Sequence, residues 1–263
     1  MYLLSKFRTA KIILAGFLLL AVTAGHTYAD TTPEYTMLCK GIERTYRLHI
    51  PDNLPEGAPL VIVLHGYGSP DPGILNNTAD RHKFAACYPQ GEKDGRGRMS
   101  WNVGYPFQHD MVIDDAEFLT QLVRHLQDKH GFSQHNVFCT GMSNGGEMCY
   151  QLAAQRPGLF AAIAPIAGLM LNWLYMSDNS TQPVSLLEIH GTNDRTSRWE
   201  GDPNNEGGWG EYLPVPLAVH FCAAKNRCTV MQTDTVTGKA PNNRKIITHR
   251  FTEGIEGQSF VVN

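Results

Sequence analysis

The chain has 263 residues, of which 42% are hydrophobic and 18% are charged, and its formal net charge is −3. This length and composition are typical of an ordinary globular protein with a well-buried core and exclude a largely disordered one. The small net charge gives no reason to expect nucleic acid, another polyanion or an acidic membrane surface as the main partner.

The first thirty residues have the layout of a secretory signal peptide. Lys6, Arg8 and Lys11 form a basic region, and residues 12–22 form an almost unbroken apolar run. Residues 27–29 then place small side chains at the two positions that a signal peptidase reads. The alternative is an uncleaved membrane anchor, but the apolar run is short for crossing a bilayer.

We therefore expect residues 1–29 to be a signal peptide that is cleaved after Ala29. Residues 30–263 are then one exported domain, extracellular or periplasmic. No later segment is long and apolar enough to cross a membrane, so we expect no stable membrane insertion after cleavage.

Apolar runs that predict strands alternate with patterns that predict helices along the rest of the chain. The predicted strands are 43–50, 59–64, 84–88, 136–140, 161–167 and 184–189, with a last pair at 245–251 and 258–262, and the predicted helices are 115–130 and 145–156. Strands that alternate with helices indicate an α/β domain with a mostly parallel central sheet covered by helices. Such a sheet places ligands at the carboxyl ends of its strands.

A serine stands between two glycines directly after a predicted buried strand and before a predicted helix. The sequence Gly141-Met-Ser143-Asn-Gly145 fits the pattern G-x-S-x-G of a nucleophile elbow. The glycines allow the strand and the helix to approach closely, while the serine occupies a strained turn that exposes its hydroxyl. The alternative is a glycine-rich turn without chemistry. The flanking strand and helix favour Ser143 as a nucleophile.

Two backbone N–H groups are candidates for an oxyanion hole. One belongs to Asn144, the residue after the serine, and the other to Tyr67 in the His-Gly-Tyr-Gly loop after an earlier strand. The alternative for that loop is a turn that simply needs glycines.

The acid of a catalytic triad is expected two strands after the elbow. Asp194 ends the segment LLEIHGTND and follows a predicted strand, so its carboxylate is in the right chain order to orient an imidazole. Asn-Asp at a strand end is also ordinary turn chemistry, and Asp202 is a nearby competitor. His190 is interpreted as structural.

Other polar and sulfur-bearing residues are expected to be structural. Asp114 and Asp115 open the long predicted helix, where carboxylates accept free N–H groups. The spacing of cysteine and histidine matches no metal site, so no metal is expected. Among the six cysteines, Cys222 and Cys228 are the first pair to consider for a disulfide, since the chain is expected to be exported.

The ordered motifs together resemble the polyhydroxybutyrate depolymerase and feruloyl/acetylxylan esterase group of secreted α/β-hydrolases. The resemblance runs from about Arg44 towards the C-terminus. Its blocks are RTYRLHIP, PLVIVLHGYG, YPQG, SWNVG, IDDAEFL, TGMSNGGEM, FAAIAPIAG, IHGTND and NRC.

This resemblance implies an α/β-hydrolase fold and a serine esterase that needs no cofactor. It implies Ser143 as nucleophile, Asp194 as acid, and a small-molecule or polymeric carboxylic ester as substrate. A serine peptidase of the same fold ranks lower. We expect a monomer.

The chain departs from the family pattern at the general base. The family histidine follows the last strand in a Gly-His-x-Trp-Pro segment, and that segment is not present in this sequence. Three explanations stay open. The sequence lacks the end that carries the histidine, His249 serves as the base although it precedes the final strand, or the chain is an impaired relative that binds esters or glycans. The first is favoured.

Overall fold

The computed structural model describes residues 32–69, 73–237, 245–255 and 260–262. The predicted signal peptide lies outside these residues. The strands are β1 (Glu34–Cys39), β2 (Ile42–His49), β3 (Leu60–Leu64), β4 (Ala85–Pro89), β5 (Glu92–Lys93), β6 (Met99–Ser100), β7 (Val137–Met142), β8 (Ala162–Ile166), β9 (Ser185–Glu188), β10 (Val230–Thr237), β11 (Lys245–Thr252) and β12 (Phe260–Val262). The helices are α1 (Asn76–His82), α2 (Asp115–His130), α3 (Asn144–Gln155), α4 (Asn172–Ser177) and α5 (Val215–Lys225).

The described strands other than β5 and β6 form one sheet with a parallel centre. Its order is β1-β2-β4-β3-β7-β8-β9-β12-β11-β10. The strands from β4 to β12 in this order are parallel to one another. An antiparallel pair continues the sheet on each side. The predicted mostly parallel sheet is therefore confirmed, and the carboxyl ends of β3, β7 and β9 share one edge.

The alternation of side chains along β4 divides the core between the two faces of the sheet. Ala85 and Cys87 belong to the large core cluster, which also contains the buried residues of α2 and α3. Ala86 and Tyr88 point to the opposite face, where they pack with Ala79 of α1. Helices therefore cover both faces, as a buried parallel sheet requires.

Helix α2 has the predicted bounds, with one correction at its start. The carboxylate of Asp114 accepts the Glu117 N–H at 2.9 Å, and Gly131 ends the helix with a φ of 67°. Asp115 is not a cap. It is buried against Arg44 Nη2 at 2.7 Å and also accepts the Asn102 N–H, so it links three segments of the core.

Several elements give weak signals in the sequence. Helix α5 is almost entirely apolar, so its sequence has no polar face to reveal a helical period. The edge strands β1 and β10 each pair with a single neighbouring strand, so few of their side chains need to be hydrophobic. Within the described part of the chain, every helix is too short or too polar to span a bilayer.

The suggested disulfide between Cys222 and Cys228 is not formed. Cys222 is a free thiol in the structure. Cys222 lies on the buried side of α5, whereas Cys228 follows Arg227, whose φ of 54° turns the chain towards β10. Cys87 and Cys139 are 0% and 1% exposed in central strands, where they pack as small core side chains.

Candidate active site

Ser143 occupies a strained turn between β7 and α3. Its φ of 51° and ψ of −118° lie outside the regions that non-glycine residues usually adopt. The flanking glycines make this turn possible, because a Cβ on Gly145 would lie 2.5 Å from the Leu64 carbonyl oxygen and one on Gly141 would lie 2.5 Å from Gly145. The Ser143 N–H donates to the Ile166 carbonyl at 2.8 Å, which fixes the turn to β8.

The half-buried side chain of Ser143 faces a mostly apolar cleft at the carboxyl edge of the sheet. The cleft has a volume of about 480 Å³. No described residue forms a hydrogen bond with Ser143 Oγ. The lining residues are Val63, Leu64, His65, Gly66, Tyr67, Ser69, Ile74, Leu75, Thr140, Gly141, Met142, Ser143, Ile166, Thr196 and Trp209.

The loop after β3 lies directly beside the serine. A Cβ on Gly66 would be 3.9 Å from Ser143 Cβ, and the next residue, Tyr67, lines the same cleft. The backbone N–H groups of Tyr67 and Asn144 donate to no described residue, although their neighbours in the loop do. Neither N–H group is therefore used within the described part of the chain.

The histidine nearest the serine, His65, is engaged in holding this loop. Its Nε2 accepts the Gly91 N–H at 3.0 Å, so Nδ1 carries the proton and donates to the Gly66 carbonyl at 2.7 Å. Burial lowers the pKa of His65 and keeps the ring neutral. With both ring nitrogens occupied, His65 is not free to accept a proton from Ser143.

Two contacts that the sequence did not predict fix the loop of Tyr67 and the start of α3. The side chain of Asn144 accepts the Trp101 N–H at 2.7 Å and donates to the Trp101 carbonyl at 3.1 Å. The Trp101 indole is fully buried and donates to the His65 carbonyl at 3.0 Å. Trp101 is therefore a core residue that ties the Tyr67 loop to the start of α3.

An aromatic cluster forms one wall of the cleft. The ring of Tyr67 packs edge-on against Phe107 and Trp209, and Tyr105 joins the same cluster. The hydroxyl of Tyr105 donates to the buried carboxyl of Glu147, one turn into α3. Burial raises the pKa of Glu147 to about 8, so this carboxyl is mostly protonated at neutral pH.

The two candidate acids differ in what their carboxylates do. Asp194 is half-buried, and its Oδ1 accepts the N–H groups of Thr196 and Ser197 at 2.8 and 2.9 Å. No described residue donates to its Oδ2. Asp202 is 1% exposed, and its two oxygens accept the N–H groups of Glu206 and Gly207. Asp194 keeps an oxygen for a further partner, whereas Asp202 closes its own loop.

A buried polar chain holds the Asp194 loop against α3. The hydroxyl of Tyr150 in α3 donates to Glu188 at 2.8 Å, and Glu188 pairs with His190 Nδ1 at 3.1 Å. His190 Nε2 lies 2.7 Å from the Ser197 carbonyl. Burial opposes the charged form of His190, but the Glu188 and Ser197 contacts outweigh it and raise the pKa of His190. His190 thus fits the structural role expected of it.

His249 does not reach the cleft of Ser143. It lies on β11, where its Nδ1 is 3.0 Å from Thr233 Oγ1. It lines a different cavity, together with Trp199 and Phe251, that shares no lining residue with the cleft. Strand β11 is four positions from β7 in the sheet. At about 4.8 Å per position, this corresponds to roughly 19 Å.

The described residues contain no group of three or more histidine, cysteine or acidic side chains arranged to hold a metal ion. Ser143 and Tyr67 line the cleft, and Asn144 follows Ser143 directly as the first residue of α3. Asp194 does not line the cleft, but Thr196, two residues after it, does. His249 lines the separate cavity beside β11.

Residues 99–206 match the model of the prolyl oligopeptidase family. Poly(3-hydroxyalkanoate) depolymerase C of Paucimonas lemoignei is 30% identical over 60% of this chain and 39% of its own length. Feruloyl esterase C of Emericella nidulans is 27% identical over 57% of this chain and 55% of its own length. The chain thus spans between 39% and 55% of the lengths of these two relatives.

A solved structure extends the comparison over most of the chain. Acetyl xylan esterase from Aspergillus awamori superposes with a TM-score of 0.63 over 88% of this chain and 92% of its own, at 15% identity. At this identity the match concerns the fold, which is that of an α/β-hydrolase. The resemblance to the depolymerase and feruloyl/acetylxylan esterase group is confirmed.

Proposed function

We propose that this chain is a serine esterase that hydrolyses carboxylic esters through an acyl-enzyme formed on Ser143. The observation that carries the proposal is the strained turn of Ser143, which holds a serine hydroxyl free of described partners in an apolar cleft of about 480 Å³. Strain of this kind costs free energy and persists where the surroundings enforce it. The known relatives, a polyhydroxyalkanoate depolymerase and a feruloyl esterase, support an ester as substrate.

In the proposed reaction, Ser143 Oγ attacks the ester carbonyl and the backbone N–H groups of Tyr67 and Asn144 bind the resulting oxyanion. The start of α3 adds the positive end of its dipole. The intermediate then expels the alcohol, and water releases the acid from Ser143. Each oxyanion donor contributes about 10²–10³-fold to the rate in enzymes of this type.

We assign Asp194 as the acid because one of its carboxylate oxygens is left without a described donor. The base belongs between Asp194 and Ser143. His249 ranks low as this base, because β11, which carries it, lies roughly 19 Å from β7 across the sheet.

The substrates proposed are polyhydroxyalkanoates or acyl esters of plant cell walls, and the chain is proposed to be exported by the signal peptide at residues 1–29. The apolar cleft suits an acyl group better than a charged one, because unpaired charge is costly to bury there.

Imidazole rescue tests the nucleophile and the position of the base together. The full chain is assayed with p-nitrophenyl butyrate, with and without added imidazole, beside Ser143→Ala. We expect slow hydrolysis by the unmodified chain that rises at least about tenfold with imidazole, above the rate of imidazole alone. Ser143→Ala is expected to show neither the slow hydrolysis nor its increase with imidazole.

Equal hydrolysis by the two proteins would contradict the assignment of Ser143. Fast hydrolysis that imidazole leaves unchanged would show that the chain already holds a working base, and His249→Gln then tests whether that base is His249.

A second candidate function is ester or glycan binding without turnover. It is favoured by one observation, that no described histidine lies within hydrogen-bond reach of Ser143 Oγ. Binding of a non-hydrolysable ester analogue without hydrolysis in imidazole would support this function. The match to the prolyl oligopeptidase model keeps peptide hydrolysis as a lower candidate, and peptide p-nitroanilides in the same assay decide it.

A further inference from the structure

A second cavity of about 490 Å³ lies outside the Ser143 cleft and shares no lining residue with it. We call it the α2–α3 groove. It is bounded by residues 102–104, the start of α2, the last part of α3 and Trp173 of α4. Its volume lies within the range of about 300–1,000 Å³ that is usual for small-molecule sites.

Trp173 presents a fixed aromatic surface at this groove. Its side chain is 39% exposed, and its indole Nε1 donates to the Val103 carbonyl at 2.9 Å. The indole stands over Gly104, where a Cβ would lie 3.0 Å from Nε1, so a larger residue there would displace the ring. An indole that is already held in place loses little conformational freedom when a ligand covers it.

The charges that line the groove are already paired within the protein. Arg156 Nη2 lies 3.3 Å from Glu117 and 3.9 Å from Asp114, and Asp114 also bonds Lys40 at 2.8 Å. Asp115 is buried against Arg44 at 2.7 Å. A charged ligand would have to compete with these ion pairs, so the groove favours a neutral one.

The floor of the groove favours a ligand that brings hydrogen-bond donors. Gln151 is 9% exposed, and its buried Oε1 accepts no hydrogen bond from the described residues. Its Nε2 donates to the exposed Gln155 at 3.3 Å, and both side chains line the groove. A ligand hydroxyl would satisfy the Gln151 oxygen, whereas an apolar ligand would leave it unpaired.

We propose that the α2–α3 groove binds a neutral oligosaccharide, with a sugar ring stacked on Trp173 and a hydroxyl directed at Gln151. A sugar combines an apolar C–H face with many neutral hydroxyl donors. The C–H face suits the fixed indole of Trp173, a hydroxyl suits the unsatisfied amide oxygen of Gln151, and the absence of charge suits a groove whose charges are already paired. The proposal does not depend on hydrolysis at Ser143, because the groove and the cleft are separate.

Calorimetric titration of the full chain with xylohexaose and with cellohexaose tests the proposal. We expect saturable binding of at least one of them, with a Kd below about 10 mM. Trp173→Ala is expected to weaken it about tenfold or more, and Gln151→Leu several-fold. Trp209→Ala is the matched control, because this tryptophan lines the Ser143 cleft, and it should bind as the unmodified chain does.

Circular dichroism and thermal melting establish that each variant is folded. If Trp173→Ala does not fold, oxidation of tryptophan by N-bromosuccinimide replaces it, and the oligosaccharide is expected to protect Trp173 in peptide mapping. Three results would overturn the proposal. They are no saturable binding of either sugar, binding that Trp173→Ala leaves unchanged (or oxidation of Trp173 that the sugar does not slow), and a loss of binding confined to Trp209→Ala. Tighter binding of the anionic oligogalacturonate than of the neutral sugars would overturn it as well.

Discussion

The two sides of the candidate site are built in different ways. On the elbow side, Ser143, Asn144 and the Tyr67 loop are fixed by close backbone packing and by the buried Trp101, so little can change without a clash. On the acid side, Asp194 lies half-buried on a loop, and polar contacts through His190 and Glu188 hold that loop. The proposed nucleophile and its proposed oxyanion donors are therefore held by the core, whereas the proposed acid depends on a loop.

The largest expected effect is a difference in stability between alanine substitutions at two glycines, one on the elbow side and one on the acid side. Gly145→Ala should destabilise the fold by about 3 kcal/mol or more, because its Cβ would lie 2.5 Å from the Leu64 carbonyl oxygen. Gly191→Ala, in the Asp194 loop, meets no atom within 4 Å and should change stability little. Urea unfolding of both variants measures the difference. Similar losses in the two variants would show that the elbow is not the more tightly constrained side.

The two candidate acids should respond in opposite ways to substitution. Asp202→Ala removes a carboxylate that is 1% exposed and leaves the N–H groups of Glu206 and Gly207 without their acceptors, so it should cost about 2–3 kcal/mol of stability. Asp194→Ala should cost about 1 kcal/mol, because its loop is closer to solvent. Urea unfolding is combined with imidazole-supported ester hydrolysis, which Asp194→Ala should lower more. If Asp202→Ala is the stable but inactive variant, the acid is Asp202.

A buried carboxyl on the elbow side makes stability depend on pH. The pKa of Glu147 is about 8 in the folded chain against an ordinary 4.5, so between these values the unfolded chain loses a proton that the folded chain keeps. Stability should therefore fall as the pH rises through this window. Glu147→Gln removes that slope and should be about 4 kcal/mol more stable than the unmodified chain at pH 8. Thermal melting of both proteins between pH 5 and 8, in steps of about one pH unit, measures this pH dependence. Parallel slopes of stability against pH for the two proteins would contradict the prediction.

The smallest effect is expected at His249. His249→Gln should leave ester hydrolysis within about twofold of the unmodified chain, because its strand β11 lies roughly 19 Å from β7 across the sheet. The assay uses the same ester without imidazole. A loss of about a thousandfold or more would make His249 the base. Strand β11 would then have to move towards the Ser143 cleft.

Local patterns predicted much of this protein. Alternation and apolar runs located the central strands, and the helical period from residue 115 to 130 gave α2 with its capping Asp114 and its final Gly131. The G-x-S-x-G pattern located the strained turn of Ser143, because a requirement for small residues around a tight turn is written in neighbouring positions.

The tertiary structure decided what depends on contacts between distant residues. Asp115 pairs with Arg44 across 71 positions, and Trp101 joins Asn144 across 43. The proposed preference for Asp194 over Asp202 rests on which loop N–H groups each accepts, and the low rank of His249 as the base rests on the order of strands in the sheet. The sequence therefore determined which chemistry is present, and the fold decided which groups meet, because hydrogen bonding and strand order join residues that no local pattern connects.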